Sequence, residues 1–209
     1  MSDVKGLPRR ERAAATRRSI MQAGAHEFTA NGYHGATMEA IARRAGVATQ
    51  TVYFVFHTKA AVLTAAVDAA VMGAENLAPE KTSWWDEATT TASGQRAIEL
   101  FVDGTVEILV RAASLNRVAQ AAADTDPEVL EVFNHHERLR AIGYRRFVDT
   151  LSARAYLKPG LGPEEATDIL LTLDGPNMFL DLTQGRGWNV SRYGQWVGQA
   201  LGLLLLPGP

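Results

Sequence analysis

Thr49, Gln50, Thr51 and Tyr53 lie within five consecutive positions and carry an amide, two methyl-bearing hydroxyls and a phenol, with no basic side chain among them. A glutamine amide pairs with an adenine edge and a threonine methyl packs on a thymine methyl. The segment ahead of them explains how they would be presented. Thr37 can cap a helix whose inward side is Met38, Ile41, Ala42 and Ala45, and Gly46 permits a tight turn. Val47 and Val52 then bury a second helix against the first. Two short helices joined in this way form a helix-turn-helix, the second reading base edges from its outer face.

Charge is divided along the chain. Residues 1–60 hold nine Lys/Arg against four acids, a balance of +5, whereas the remainder stands at −7. A basic head on an acidic body points to a polyanion that meets the head alone. The reading helix has no Lys or Arg, so affinity for phosphates falls to Arg9–Arg18 around the first helix and to Arg43 and Arg44. Thr37 and Lys59 open two helices, where free N–H groups favour phosphate oxygens.

Other chemistries find little support. The chain has no cysteine, which excludes disulfides, thiolate metal sites and cysteine nucleophiles. It has neither a phosphate-cradling glycine loop nor a Gly-x-Ser-x-Gly elbow. Glu131 and His135 are four residues apart, but two ligands without a third do not hold a metal. No cofactor, metal or catalytic role is expected. No apolar run nears the roughly 18–20 residues that cross a bilayer, and Arg9, Arg10 and Arg12 lead straight into an alanine-rich, charged helix rather than a leader. A cytoplasmic protein away from the membrane is the expectation.

Helical periodicity dominates and strand signals are nearly absent, so the fold class is all-α. Helices are expected over 10–30, 38–45, 48–54, 59–72, 95–112, 115–122, 126–155, 164–183 and 189–206, with Asn31-Gly32 stopping the first. Residues 73–94 read as a loop-rich connection carrying Trp84-Trp85. This divides the chain into a head at 9–58, a connecting helix and linker at 59–80, and a body at 81–209.

In the body, Tyr193, Trp196, Val197, Ala200, Leu201 and Leu204 form the clearest apolar stripe. With Ile169, Leu173 and Leu180 it makes either a core or one half of a four-helix interface between two copies. Asn116, His136, Tyr144, Asn177 and Phe179 are candidates to line a small-molecule site. His136 lies on the apolar side of its helix, where a histidine bonded to backbone is the plainer reading.

Residues 17–63 resemble the DNA-binding domain of the TetR family. The resemblance rests on Phe28 and Gly32-Tyr33, on Thr37, Ile41-Ala42 and Ala45-Gly46-Val47, and on Thr51-Val52-Tyr53, Phe56, Thr58-Lys59 and Val62-Leu63. The chain departs at Ala48, where a Ser or Thr cap is usual, at Phe54-Val55, which is more often polar, and at Ala60-Ala61. The resemblance implies a three-helix head joined to a larger helical domain for ligand binding and dimerisation. It also implies a homodimer that binds a double-stranded operator through Thr37, Arg43, Arg44, Thr49, Gln50, Thr51, Tyr53 and Lys59. A small, mostly apolar ligand would release it. A helical enzyme or carrier with a purely structural helix-turn-helix is the competing class, and an activator is indistinguishable from a repressor at this level.

Overall fold

The computed structural model describes residues 9–208; Asp3 and Lys5, counted in the charge balance, and Pro209, the end of the expected body, lie outside them. Every regular element among the described residues is helical: α1 (Arg9–Gly35), α2 (Met38–Ala45), α3 (Thr49–Phe56), α4 (Lys59–Met72), α5 (Ser83–Thr90), α6 (Gly94–Ala123), α7 (Pro127–Ala153), α8 (Pro163–Leu173), α9 (Pro176–Leu180) and α10 (Val190–Leu205). Among the described residues a 3-10 turn covers Pro79–Lys81 and a π turn covers Asp181–Gly185. The chain forms two compact units, one of residues up to Ala69 with Val118–Phe133, the other of Ala70–Arg117 with Asn134 onward. The boundary thus differs from a cut at residue 80, because the end of α6 and the start of α7 group with the head.

The first unit is built on Ile20 and Phe28 of α1, Ile41 of α2, Val52 and Phe56 of α3, and Val62 and Leu63 of α4, all buried. The α1 backbone breaks at Gly32, where φ is 69°, matching the expected stop.

The second unit centres on Phe101, which stacks on Phe147 at 3.9 Å between ring centres and meets Tyr144 edge-on at 5.2 Å. Trp84 from α5 packs on the same ring at 6.0 Å. Gly104 makes this possible: a Cβ there would lie 2.2 Å from the Trp84 indole. The connection expected over 73–94 therefore contains a helix anchored by its two tryptophans, and the pair expected over 95–122 is one continuous α6. The helix expected over 164–183 is instead broken at Asp174-Gly175-Pro176. Pro176 has no N–H to continue the ladder, and its ring disfavours helical backbone before it.

The stripe on α10 splits between two surfaces. Tyr193, Val197, Leu201 and Leu205 are fully buried in the unit's own core. Trp196 and Leu204 are 36% and 39% exposed, and Leu203, outside the expected stripe, is 81% exposed. Leu180 is buried as well. Val197, Leu201 and Leu180 therefore belong to the core rather than to a surface for a second copy. A charge at Val197 or Leu201 has no partner inside. Val197→Glu with Leu201→Lys should unfold the body, whereas Leu203→Glu, at a position outside the core of the unit, should leave its helical fold intact. Urea melts followed by circular dichroism check both, and a folded, soluble Val197→Glu/Leu201→Lys protein would contradict this placement.

Candidate functional site

The helix-turn-helix is assembled by local bonds before any ligand is considered. The Thr37 hydroxyl accepts from the Ala40 N–H at 3.1 Å, closing the start of α2. At its end Gly46 takes φ 70°, a left-handed turn that a side chain resists, and Val47 N–H donates to Ala42 O at 3.0 Å. Ser19 Oγ donates to Ala45 O at 3.0 Å, tying the turn to α1. Ala48 caps α3 without a side-chain bond, while the Thr58 hydroxyl accepts from Ala61 N–H at 3.1 Å to cap α4.

On α3, Val52 and Phe56 face inward. Gln50, Tyr53 and Phe54 face outward, with Tyr53 47% and Phe54 82% exposed, and Thr49 and Thr51 are half-buried beside them. The polar readers expected from sequence therefore share the exposed side of α3 with a bare phenylalanine.

The basic residues are used unequally. Arg43 is exposed in the last turn of α2. Arg44 Nε bonds Glu27 Oε1 at 2.6 Å, and Asn31 donates to the same carboxylate at 2.9 Å. The Arg44 hydrogen bond leads the effects holding Glu27 below its ordinary pKa, against the cost of burial. Arg17 lies 4.3 Å over the Phe56 ring. Lys59 turns inward, donating to Tyr33 O at 2.7 Å and Ala36 O at 3.0 Å, with its ammonium 4.3 Å from the Tyr33 ring centre. Burial lowers its pKa. Its ammonium closes the end of α1, so what the start of α4 offers a phosphate is backbone rather than this side chain.

The body holds a second set of polar groups, gathered by the break after α8. Leu171 O accepts from Arg140 Nη1 at 3.0 Å, Leu173 O from the Tyr193 hydroxyl at 3.0 Å, and Asp174 O from the Tyr144 hydroxyl at 2.7 Å. Three side chains replace the helical ladder there. Asp174 itself is fully buried. Thr105 Oγ1 donates to its Oδ2 at 2.6 Å, and the Tyr144 hydroxyl lies 3.3 Å from the same oxygen. Burial pushes the carboxyl up to about 7, opposed by the Thr105 and Tyr144 bonds and the Arg140 charge.

Of the lining candidates, the structure brings three to this region. Tyr144 lies at its centre, and Phe179 meets Tyr193 edge-on at 5.0 Å. Asn116 Nδ2 donates at 3.1 Å to Glu137, which pairs with Arg140 at 2.6 Å. Asn177, at the start of α9, is exposed. His136 is half-buried beside His135, with 5.4 Å between ring centres. Sequence reading missed Thr105, Arg140, Asp174 and Tyr193 as a group. The Asp-Gly-Pro triplet inside an apolar helix was the signal available. Among the described residues no three His, Cys, Asp or Glu side chains are placed to hold a metal ion. No single described helix is long and apolar enough to cross a membrane; α3 with α4 would pass together, but they are bent by 73°.

Residues 20–66, from α1 through the first half of α4, match the sequence model described as bacterial regulatory proteins, tetR family. The head belongs to that family. No curated protein matches the chain, but solved structures share its fold along nearly the whole length. A Mesorhizobium loti protein assigned to the TetR-family transcriptional regulators superposes with a TM-score of 0.70 at 21% identity, over 94% of this chain and 99% of that one. NalD of Pseudomonas aeruginosa, the secondary repressor of the MexAB-OprM multidrug efflux pump, gives 0.70 at 19% identity, over 95% of this chain and 100% of its own. The Bacillus subtilis transcriptional regulator FadR, in complex with stearoyl-CoA, gives 0.70 at 18% over 88% and 96%. The fold is that of TetR-type regulators, a helix-turn-helix head followed by a helical domain.

The buried Glu27 of this tetR-type head has a lowered pKa, so its stabilising effect is complete above the ordinary glutamate range and fades as pH falls through the folded value. With Arg44 43% exposed on its side chain, solvent screening holds the effect to about 1 kcal/mol or less. Acidification should cost the wild type more stability than it costs Glu27→Gln, measured by urea melts across the acid range. Parallel pH curves for the two proteins would show that the pair contributes nothing.

Proposed function

We propose that the protein is a one-component transcriptional repressor that binds a palindromic operator as a homodimer and is released by a small, mostly apolar ligand. The observation that carries the reading is the outward side of α3, where Gln50 and Tyr53 stand on a helix fixed from behind by Val52 and Phe56 within a tetR-family head. Gln50, with Thr49 and Thr51 beside it, supplies base readout; Tyr53, Thr37, Arg43, Arg44 and the N-terminus of α4 under Lys59 supply the phosphate contacts.

The dimer is built on α8 and α10. Ile169 and Leu173 are half-buried on α8, and Trp196, Leu203 and Leu204 are exposed on α10, an apolar set that a second copy can cover in the isologous arrangement of a two-fold dimer. A ligand with an apolar bulk agrees with the aromatic core around Phe101 and with the stearoyl-CoA held by the Bacillus subtilis neighbour. α4, α6 and α7 each contribute residues to both compact units, which gives a displacement in the body a covalent route to the head. A tenfold loss of operator affinity needs about 1.4 kcal/mol of coupling, and operator DNA must weaken ligand binding by the same factor.

Selection of bound sequences from random duplex DNA tests the class and its symmetry together, and a protein that binds no duplex at low salt would sink it. Gln50→Ala should cost about 1–3 kcal/mol at one base position per half-site and flatten the selected motif there. Arg43→Ala should weaken all sequences alike and reduce the salt slope by about one. For the assembly, Trp196→Glu with Leu204→Lys should yield folded monomers in sedimentation, and a variant that remains dimeric would move the interface elsewhere.

A further inference from the structure

The polar cluster behind the α8 break leaves two buried groups without partners: Asp174 Oδ1 and Arg140 Nε. The other atoms around them are spoken for. Asp174 Oδ2 takes the Thr105 hydroxyl, and the Tyr144 and Tyr193 hydroxyls close the carbonyls of Asp174 and Leu173. Arg140 spends its two terminal nitrogens on Leu171 O and Glu137. An unpartnered buried carboxylate oxygen is expensive in a folded protein, and such exceptions gather where something else is meant to bind.

Charge decides what that partner is. The ionisable groups acting on Asp174 are Arg140 and Tyr144 from α7 and Tyr193 from α10, while Thr105 from α6 is neutral. Arg140 is paired with Glu137 at 2.6 Å, whereas Asp174 has no ion pair among the described residues. With Arg140 and Glu137 cancelling, an ionised Asp174 leaves one negative charge over. Tyr144 and Tyr193, whose hydroxyls close the carbonyls at this break, pack edge to face on Phe101 and Phe179, and in such uncharged surroundings a lone carboxylate is matched by an organic cation rather than by an anion. Gly194 and Gly198 bring no side chain to one side of α10: an added Cβ at Gly194 would already touch Val106 at 3.7 Å, whereas Gly198, one turn on, is buried with no atom within 4 Å of that position, which leaves open space there.

We propose that the body binds a protonated organic amine whose ammonium donates to Asp174 Oδ1, with Arg140 Nε donating to an acceptor on the same ligand where it has one. This names the polar end of the ligand and rests on the ligand-sensing reading above. The ammonium completes a carboxylate that the fold already holds by its other oxygen, and the ligand's apolar part lies along the aromatic core and the side of α10 that the glycines leave open. Because burial, opposed by the Thr105 and Tyr144 hydrogen bonds and the Arg140 charge, raises the carboxyl to about 7, an entering cation favours the ionised form, and amine binding weakens as pH falls below that value.

The test uses three probes with one tail and different heads: octylammonium, octan-1-ol and octanoate, titrated into the full-length wild type by calorimetry. The expected result is binding of octylammonium at least about tenfold tighter than either companion, a preference of at least about 1.4 kcal/mol. Asp174→Asn keeps the side chain's shape, and Asp174→Ser tests the same point if the amide misfolds. Either variant, if still folded by circular dichroism and still binding duplex DNA, should lose that preference. Wild-type affinity for octylammonium should also rise by about tenfold or more from about pH 5.5 to about pH 8, and the variant's should stay flat. Equal binding of the three heads, or a preference that survives in the variant, overturns the proposal. If octanol or octanoate binds and releases DNA while octylammonium does not, the amine is wrong and ligand sensing stands. If none of the three binds, the amine site falls, and the sensing reading is judged separately by whether any compound alters DNA affinity.

Discussion

An eight-residue helix does not persist in water by itself, because the cost of its first turn is repaid only over a longer ladder. α3 is such a helix, and Ala48 gives it no side-chain cap. Its shape depends on the burial of Val52 and Phe56 among Ile20, Phe28, Ile41, Val62 and Leu63. The rest of the head serves that docking. Gly46 aims α3 away from α2, Ser19 and Arg44 pin α2 to α1, and Lys59 ties the end of α1 to the start of α4. A polar outer side can be kept in register only because the inner side is rigid.

The body solves the opposite problem. An apolar helix is interrupted at Asp174-Gly175-Pro176, and the carbonyls set free are bonded by Arg140, Tyr144 and Tyr193 from other helices. Those bonds fix where the break lies. They also make the end of α8 and the short α9 a wall held by side chains, which can change partners, rather than by a continuous ladder, which cannot do so without unwinding.

Much of the head could be read from sequence because its signals are local. Thr37 caps a helix, Gly46 makes the turn and the inward residues of α2 recur at helical spacing, and each of these was found where expected. The body was less legible because its decisive contacts join distant positions. Nothing around Gly104 announces that Trp84 will press on it, and nothing near Thr105 announces Asp174. On α10 the periodicity was right but ambiguous: consecutive apolar positions such as Trp196-Val197 and Leu203-Leu204-Leu205 give one wide stripe, and only packing divides it into a core side and an outer side. Lys59 shows the same limit for charge, since its position at a helix start suggested an anion while its ammonium serves two carbonyls.

The bare ring of Phe54 adds a thermal component to any association that covers it. Arginine-to-phosphate contacts gain mainly from the release of counterions, a gain tuned by salt. A phenylalanine that stands 82% in water adds a dehydration component when it is covered, and burial of apolar surface carries a negative change in heat capacity. The enthalpy of such an association grows more favourable on warming, and the affinity passes through a broad optimum in temperature rather than following one straight line. Any association that covers this ring on α3 would therefore respond to warmth as well as to ionic strength.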